Sequence, residues 1–169
     1  TWPLIKARRL LNIEYEPIDK ALESTAFHNR KFDEMLNSGK AEVKRKDGDV
    51  DTAFKNAARV IKSEYQCPFL SHSPMEPMNF FAHVKEDSVE LIGPSQTPDR
   101  ARKAAAEICG IAPEKVSVEL TRLGGGFGRR LRADFVEEAV ELSKMLKAPV
   151  KLTWSREDDI TGGAYRPAV

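Results

Sequence analysis

The sequence predicts a mixed α/β domain of the α+β kind, and three observations carry that prediction. From Asn79 onward, stretches that alternate apolar and polar residues and stretches with helical apolar spacing follow one another as strand, strand, helix, strand, helix, strand. Proline, glycine and short polar runs mark the boundaries between them. Ahead of this pattern the chain is more polar and only partly ordered, so a partly irregular N-terminal segment precedes the unit.

Taken in order, residues 2–11 read as a helix with Leu4, Ile5, Ala7 and Leu10 among basic residues. Residues 12–16 alternate like a short strand and stop at Pro17. Residues 17–48 are polar, with a loose helix around Phe27, Phe32, Met35 and Leu36 and a solvated charge run at 44–47. Asp49 and Asp51 begin a capped amphipathic helix through about Lys62, carrying Val50, Phe54, Ala57 and Ile61. An extended segment follows over 64–70. Pro74 and Pro77 forbid a regular helix over 71–78, so the His72/Glu76 spacing reads as a hydrogen-bonded turn rather than as metal ligation.

Residues 79–84 and 88–92 are strand candidates around the turn 85–87. Thr97 as N-cap and Pro98 at the first helical position start a helix. Ala101, Ala104, Ala105 and Ile108 form its buried face and Gly110 its stop. Residues 116–120 alternate as a strand. A long helix then runs to about Lys147 with Phe135, Ala139, Leu142 and Leu146 at helical spacing and Val136 and Val140 beside them. Residues 149–154 form the last strand and end in a charged run.

Composition sets broad limits. With 41% hydrophobic and 31% charged residues in 169, the chain has the make-up of a globular protein. A net charge of +1 gives no global field toward nucleic acid or an anionic membrane. No apolar run approaches the roughly 20 residues of a membrane span. The chain starts Thr1-Trp2-Pro3 and stops shortly after Gly162-Gly163, so both ends are expected to be cuts in a longer polypeptide, and the compartment, periplasmic or cytoplasmic, stays open. Cys67 and Cys109 cannot supply the four ligands of a cluster or structural zinc; they are expected to be buried free thiols, with a disulfide the lesser alternative.

The chemistry concentrates in Leu123-Gly124-Gly125-Gly126-Phe127-Gly128-Arg129-Arg130. Glycines let a backbone turn tightly and approach another molecule closely. Between a strand and a helix they also present N–H groups at a positive helix end, an anion site. Arg129, Arg130 and Arg132 stand where cations are disfavoured, which suggests an anionic partner; a glycine-rich turn with exposed arginines and no ligand is the plainer alternative. The dinucleotide fingerprint fails because Arg129 stands where its last glycine belongs, and no Gly-Lys-Ser/Thr ending exists for a P-loop. Gln96, one residue outside a second helix start, could point an amide into the same space; an ordinary surface glutamine is the plainer alternative.

Three motifs in order are similar to one family: Pro68-Phe69-Leu70-Ser71-His72-Ser73-Pro74-Met75-Glu76-Pro77, then Pro94-Ser95-Gln96, then Gly124 through Gly128. From about Tyr65 onward the chain closely resembles the molybdenum-binding large subunit of the xanthine dehydrogenase and aldehyde oxidase family. The paired arginines and the ending Trp154-Ser155-Arg156-Glu157-Asp158-Asp159 look most like the isoquinoline 1-oxidoreductase β-subunit branch. The resemblance implies that 1–64 are the end of a preceding hammerhead-type domain with its linker. It likewise makes 65–169 the first part of a molybdenum-cofactor-binding domain.

The resemblance further implies that Gln96 hydrogen-bonds an oxygen ligand of molybdenum. Phe127 would approach the metal's ligands through its backbone amide, so neither residue ligates the metal itself. Gly125, Gly126 and Gly128 complete the cradle, and Arg129 and Arg130 neutralise a cofactor phosphate or a neighbouring carboxylate. The implied cofactor is molybdenum with molybdopterin cytosine dinucleotide, and the implied reaction is hydroxylation with water as oxygen source. Its glutamate base would lie beyond Val169, so the piece alone is expected to be inactive. Xanthine-oxidising relatives carry a glutamate where Leu131 stands, which favours an aldehyde or an N-heterocycle over a purine. No cluster motif occurs, so a small 2Fe-2S partner subunit is expected. The competing reading is a non-catalytic anion-binding or assembly module on the same scaffold. A nucleic-acid binder is disfavoured, since the arginines lack interleaved aromatics and a broad basic face.

Overall fold

The computed structural model describes residues 2–16 and 24–169. The chain divides into two compact units, Thr1–Glu64 and Tyr65–Val169. The first contains helices α1 (Trp2–Leu10), α2 (Thr25–Asn37) and α3 (Val50–Asn56). Ser24 caps α2 by accepting from the Phe27 amide at 3.1 Å, and Asp49 caps α3 through the Thr52 amide at 3.1 Å. None of the three helices buries a residue.

Two expectations fail in this unit for that reason. Residues 12–16 form no strand, because alternation makes a strand only where an edge is available to pair with, and these residues are exposed. The predicted stop at Pro17 lies outside the described residues. The helix expected to reach Lys62 ends at Asn56, with Ala57 already extended (φ −67°, ψ 130°). A short helix with no packed face has only local propensity behind it, and the β-branched pair Val60-Ile61 adds little.

The second unit runs β1 (Leu70–Ser71), β2 (Asn79–Val84), β3 (Val89–Gly93), α4 (Pro98–Cys109), β4 (Val116–Leu120), α5 (Asp134–Leu146), β5 (Val150–Thr153), α6 (Arg156–Thr161) and β6 (Tyr165–Arg166). The predicted order from Asn79 to Thr153 is therefore present, as a mixed α/β fold. One sheet has the order β4-β3-β2-β5. Strands β2 and β3 form an antiparallel hairpin, β4 runs parallel to β3 after the α4 crossover, and β5 pairs antiparallel with β2. Strands β1 and β6 make a separate antiparallel pair, Leu70 opposite Arg166. Cys67 and Val169 extend it by exchanging backbone hydrogen bonds of 2.9 and 3.0 Å.

Helices α4 and α5 pack on one face of the sheet and on each other. Phe80, Ala82, Val89, Leu91 and Val116 meet Ala101, Ala105, Phe135, Val136, Ala139 and Val140 in a dry core, with Phe80 and Phe135 edge to face at 5.8 Å. The buried face of α4 takes Ala106 as well as Ala101 and Ala105, while Ala104 and Ile108 are half-buried. On α5 the expected stripe is corrected: Leu142 and Leu146 are exposed and Ser143 is fully buried. Ser143 accepts from the Val84 amide (2.9 Å) and donates to the Ala148 carbonyl (2.8 Å). A hydroxyl with both roles filled stands in the core at little cost, and its duty at the end of β2 decides which face turns in. The cysteines are free as expected, but Cys67 is exposed and Cys109 only half-buried.

Candidate functional site

Strand β4 delivers the chain into the glycine stretch, and a 3-10 turn at Arg129–Leu131 separates that stretch from α5. The loop therefore does not sit on the α5 N-terminus as the sequence suggested. Its donors are its own peptides, and their direction is well defined because every carbonyl from Gly124 to Gly128 has a protein donor.

Gly124 O accepts from the Glu76 amide (3.2 Å), Gly126 O from the Arg129 amide (2.8 Å) and Gly128 O from the Leu131 amide (3.3 Å). Gly125 O accepts from Arg130 Nε at 2.9 Å, and Phe127 O from the Arg166 guanidinium. In a trans peptide the C=O and the following N–H point in opposite directions, and no cis bond occurs among the described residues. Carbonyls held by the protein thus turn the next N–H groups away from those donors. The N–H groups of Gly125, Gly126 and Phe127 meet no acceptor among the described residues. A run of such amides is an anion-accepting nest.

Each glycine has a reason. A Cβ on Gly124 would lie 2.4 Å from the Glu76 Cβ, and one on Gly126 would lie 2.5 Å from Gln96 Oε1. Gly125 and Gly128 adopt φ of +99° and +94°, values that a side chain disfavours. Phe127 is forced into the same region (φ +52°) and its ring is exposed. Gln96, in the β3–α4 connection, lies directly on the loop. Its backbone N–H reaches Arg130 O at 3.1 Å, and its Oε1 accepts from the Gly128 amide at 3.2 Å. With the oxygen so used, the Gln96 Nε2 hydrogens have no acceptor among the described residues. Thr97, at the predicted cap position, ties α4 to the loop's end instead, donating to Leu131 O at 3.0 Å.

The arginines behave differently from the sequence reading. Arg129 and Arg130 are 2% and 0% exposed and lie beneath the loop. Arg129 makes a two-pronged bond to Asp134 (2.9 and 2.8 Å) and stacks near the Trp154 and Phe135 rings. The neighbouring carboxylate foreseen as one of its two partners is Asp134. Arg130 reaches Glu76 O at 2.8 Å and Glu76 Oε2 at 3.2 Å. Arg132 stays exposed.

Glu76 receives far more than its local pattern foretold. Its Oε2 also accepts from the Gly124 amide (2.8 Å) and its Oε1 from Asn79 (2.9 Å). Burial pushes its carboxyl upward, but those hydrogen bonds and the Arg130 and Lys151 charges outweigh it and hold it below the usual value. His72 Nδ1 meets the Ala164 carbonyl at 3.1 Å, so the segment is held by a long-range contact, and over 72–78 it is extended and bent rather than the hydrogen-bonded turn expected. Among the described residues no group of three His, Cys, Asp or Glu could hold a metal ion. Glu76 as a hub and Arg166 as a loop contact are the two residues sequence reasoning missed. Both act across more than 35 residues of chain, where no local spacing reports a contact.

A groove of about 590 Å³ lies elsewhere, between the β2–β3 turn and the C-terminal ends of α4 and α5, with Lys85, Lys144 and Lys147 on its walls. Lys144 donates to Ile108 O there; ammonium groups at helix C-termini are ordinary, and no loop residue lines the groove. No helix of the described residues is long and apolar enough to cross a membrane.

The fold is a mixed α/β domain with a glycine loop whose Gly125, Gly126 and Phe127 amides meet no acceptor among the described residues. The sequence pattern of the molybdopterin cofactor-binding domain family matches residues 28–169, and the chain belongs to that family. It is 31% identical over 172 residues to the isoquinoline 1-oxidoreductase subunit beta of Brevundimonas diminuta, covering 97% of this chain and 22% of that protein. It is 32% identical over 165 residues to the membrane-bound aldehyde dehydrogenase (pyrroloquinoline-quinone) of Gluconacetobacter polyoxogenes, covering 96% of this chain and 21% of that protein. The chain thus spans about a fifth of the length of these relatives. The fold is shared with the Cu,Mo-CO dehydrogenase (TM-score 0.61, 22% identity, 97% of this chain and 23% of that one). It is also shared with quinoline 2-oxidoreductase from Pseudomonas putida 86 (TM-score 0.60, 24% identity, 70% of this chain and 16% of that one).

The residues present fit such a cofactor. Three backbone donors and an amide NH2 have no acceptor among the described residues, the loop's carbonyls are all engaged by the protein, and glycines let the loop lie tight against Glu76 and Gln96 with those donors presented.

Proposed function

We propose that this chain is part of the large subunit of a molybdenum hydroxylase that oxidises an aldehyde or an N-heterocycle with water as oxygen source. The observation that carries the reading is the loop from Gly124 to Gly128, whose carbonyls are all bound to protein while three of its amides meet no acceptor among the described residues. The cofactor is molybdopterin, in the cytosine dinucleotide form, carrying molybdenum; when bound it supplies the two-electron oxidation of substrate.

This chain's residues hold and orient that group. The Gly125, Gly126 and Phe127 amides and Gln96 Nε2 donate to its anionic edge, Gln96 and Phe127 acting on the metal's ligands rather than on the metal. Gly128 keeps Gln96 in place. Arg129 serves through Asp134, which it neutralises, and so supports the loop from below rather than binding phosphate. Leu131 offers an apolar, partly exposed side chain beside the loop, which favours an aldehyde or an apolar heterocycle over a purine. Glu76 is committed to Arg130 and the loop, so the general base comes from outside these residues, and the 169-residue piece alone turns over no substrate. Residues 1–64 belong to a preceding hammerhead-type domain and linker. Electrons leave through iron–sulfur clusters on a small 2Fe-2S partner subunit.

The test is molybdenum content by mass spectrometry in the full-length protein, made with its partner in a cofactor-competent host. Near-stoichiometric metal is expected in wild type. Loss is expected in Gly128→Val, because valine cannot hold φ +94°. In Gln96→Ala, metal is retained and turnover falls. A well-folded wild type without molybdenum overturns the proposal and favours an assembly module.

A further inference from the structure

The loop's free amides point as they do because something holds its carbonyls, and two of those holders are arginine side chains from separate parts of the fold. Arg130 comes from beneath, fully buried, with Nε on Gly125 O and Nη2 on Glu76 O and Oε2. Glu76 is itself bonded twice to Gly124, through its amide and through its carboxylate. Arg166 comes from β6 and reaches Phe127 O.

A trans peptide is one rigid plate. Fixing Gly125 O therefore fixes the Gly126 N–H, and fixing Phe127 O fixes the Gly128 N–H, which meets Gln96 Oε1 at 3.2 Å. That bond in turn decides that Gln96 presents its NH2 outward. A cationic donor on each carbonyl also polarises the peptide and strengthens the donor at its other end.

We propose that Arg130, aimed by Glu76, and Arg166 are positioning residues that set the direction of the loop's amide donors without touching the bound group. The inference rests on reading the loop as a cofactor cradle. Neither arginine's guanidinium is needed as a phosphate ligand; each acts through a peptide.

The experiment compares wild type, Arg130→Lys, Arg166→Met and Arg166→Lys in the full-length protein, reading site-resolved hydrogen exchange together with molybdenum and pterin content. Lysine at 130 keeps the charge but cannot bridge Gly125 O and Glu76 O. Arg166 is exposed, so Arg166→Met does not endanger the fold. Exchange at Gly128 is expected to quicken about tenfold in Arg166→Met, and at Gly124 by a similar factor in Arg130→Lys, the loss of one charge-assisted bond. The α4 and β3 amides stay unchanged, molybdenum and pterin fall several-fold, and Arg166→Lys recovers much of the loss because an ammonium can still reach Phe127 O.

Unchanged loop exchange overturns the proposal. So does acceleration spread evenly through β2 and α5, which is what a plain structural staple gives, and so does faster loop exchange with undiminished molybdenum and pterin. If Arg130→Lys does not fold, the contrast between Arg166→Met and Arg166→Lys decides. A wild type with no molybdenum whose loop amides still respond defeats the cofactor reading while the clamp stands.

Discussion

Glu76 shows how one side chain can govern a site it does not enter. Its carboxylate joins Gly124, Asn79 and Arg130. Burial would raise its pKa, yet its bonds and neighbouring charges leave it below the ordinary 4.5. A carboxyl depressed by folding contributes stability that is complete above its unfolded pKa and is lost as pH falls through the folded one. The thermal midpoint is therefore expected to hold steady down to about pH 4.5 and to drop below it, with Glu76→Gln flattening that part of the curve; melting followed by circular dichroism from pH 7 to 3 checks this. A close backbone approach was legible in four glycines round one phenylalanine, whereas Gln96 was marked only by its place before a helix start and by the family resemblance, since a surface glutamine reads the same in sequence. Arg129 and Arg130 were not legible, because a guanidinium beneath a loop and one above it look the same in sequence. The distinction is made by Glu76 and Asp134, one of them more than fifty residues away.

Among the elements, the hairpin and its helices were legible because period-2 and helical spacing each matched a single packed face. The face of α5 was not, since two apolar stripes competed and the tie was broken by Ser143 bonding Val84 and Ala148. Residues 12–16 and 57–62 carried the right patterns but gained no partner, and pattern without burial makes no element. Strand β3 ends at a glycine for a packing reason: a Cβ on Gly93 would lie 2.5 Å from the Phe80 ring, which is 0% exposed and meets Phe135 edge to face. Gly93→Ala is expected to destabilise by about 1–3 kcal/mol through overpacking. Urea unfolding should show a lower midpoint with an unchanged slope; a midpoint equal to wild type would mean that Phe80 moves aside freely.

For the molecule as a whole, the two compact units differ in kind. Helices α1, α2 and α3 bury nothing, whereas the unit from Tyr65 holds the core. Segments that bury little open at low free energy. Limited trypsin digestion of this chain should cut first among the lysines and arginines before residue 65 and leave 65–169 nearly intact; early cleavage at Arg122, Arg129 or Arg130 would contradict the held loop described above. The pairing of β1 with β6 has a different consequence. Leu70 and Ser71 lie antiparallel to Arg166 and Tyr165, so the two ends of residues 72–164 are held side by side. Everything between them hangs from that one stem. A stretch arranged in this way can be lengthened inside without altering the separation of its two ends, so residues 72–164 have the geometry of a closed loop on a two-strand stem.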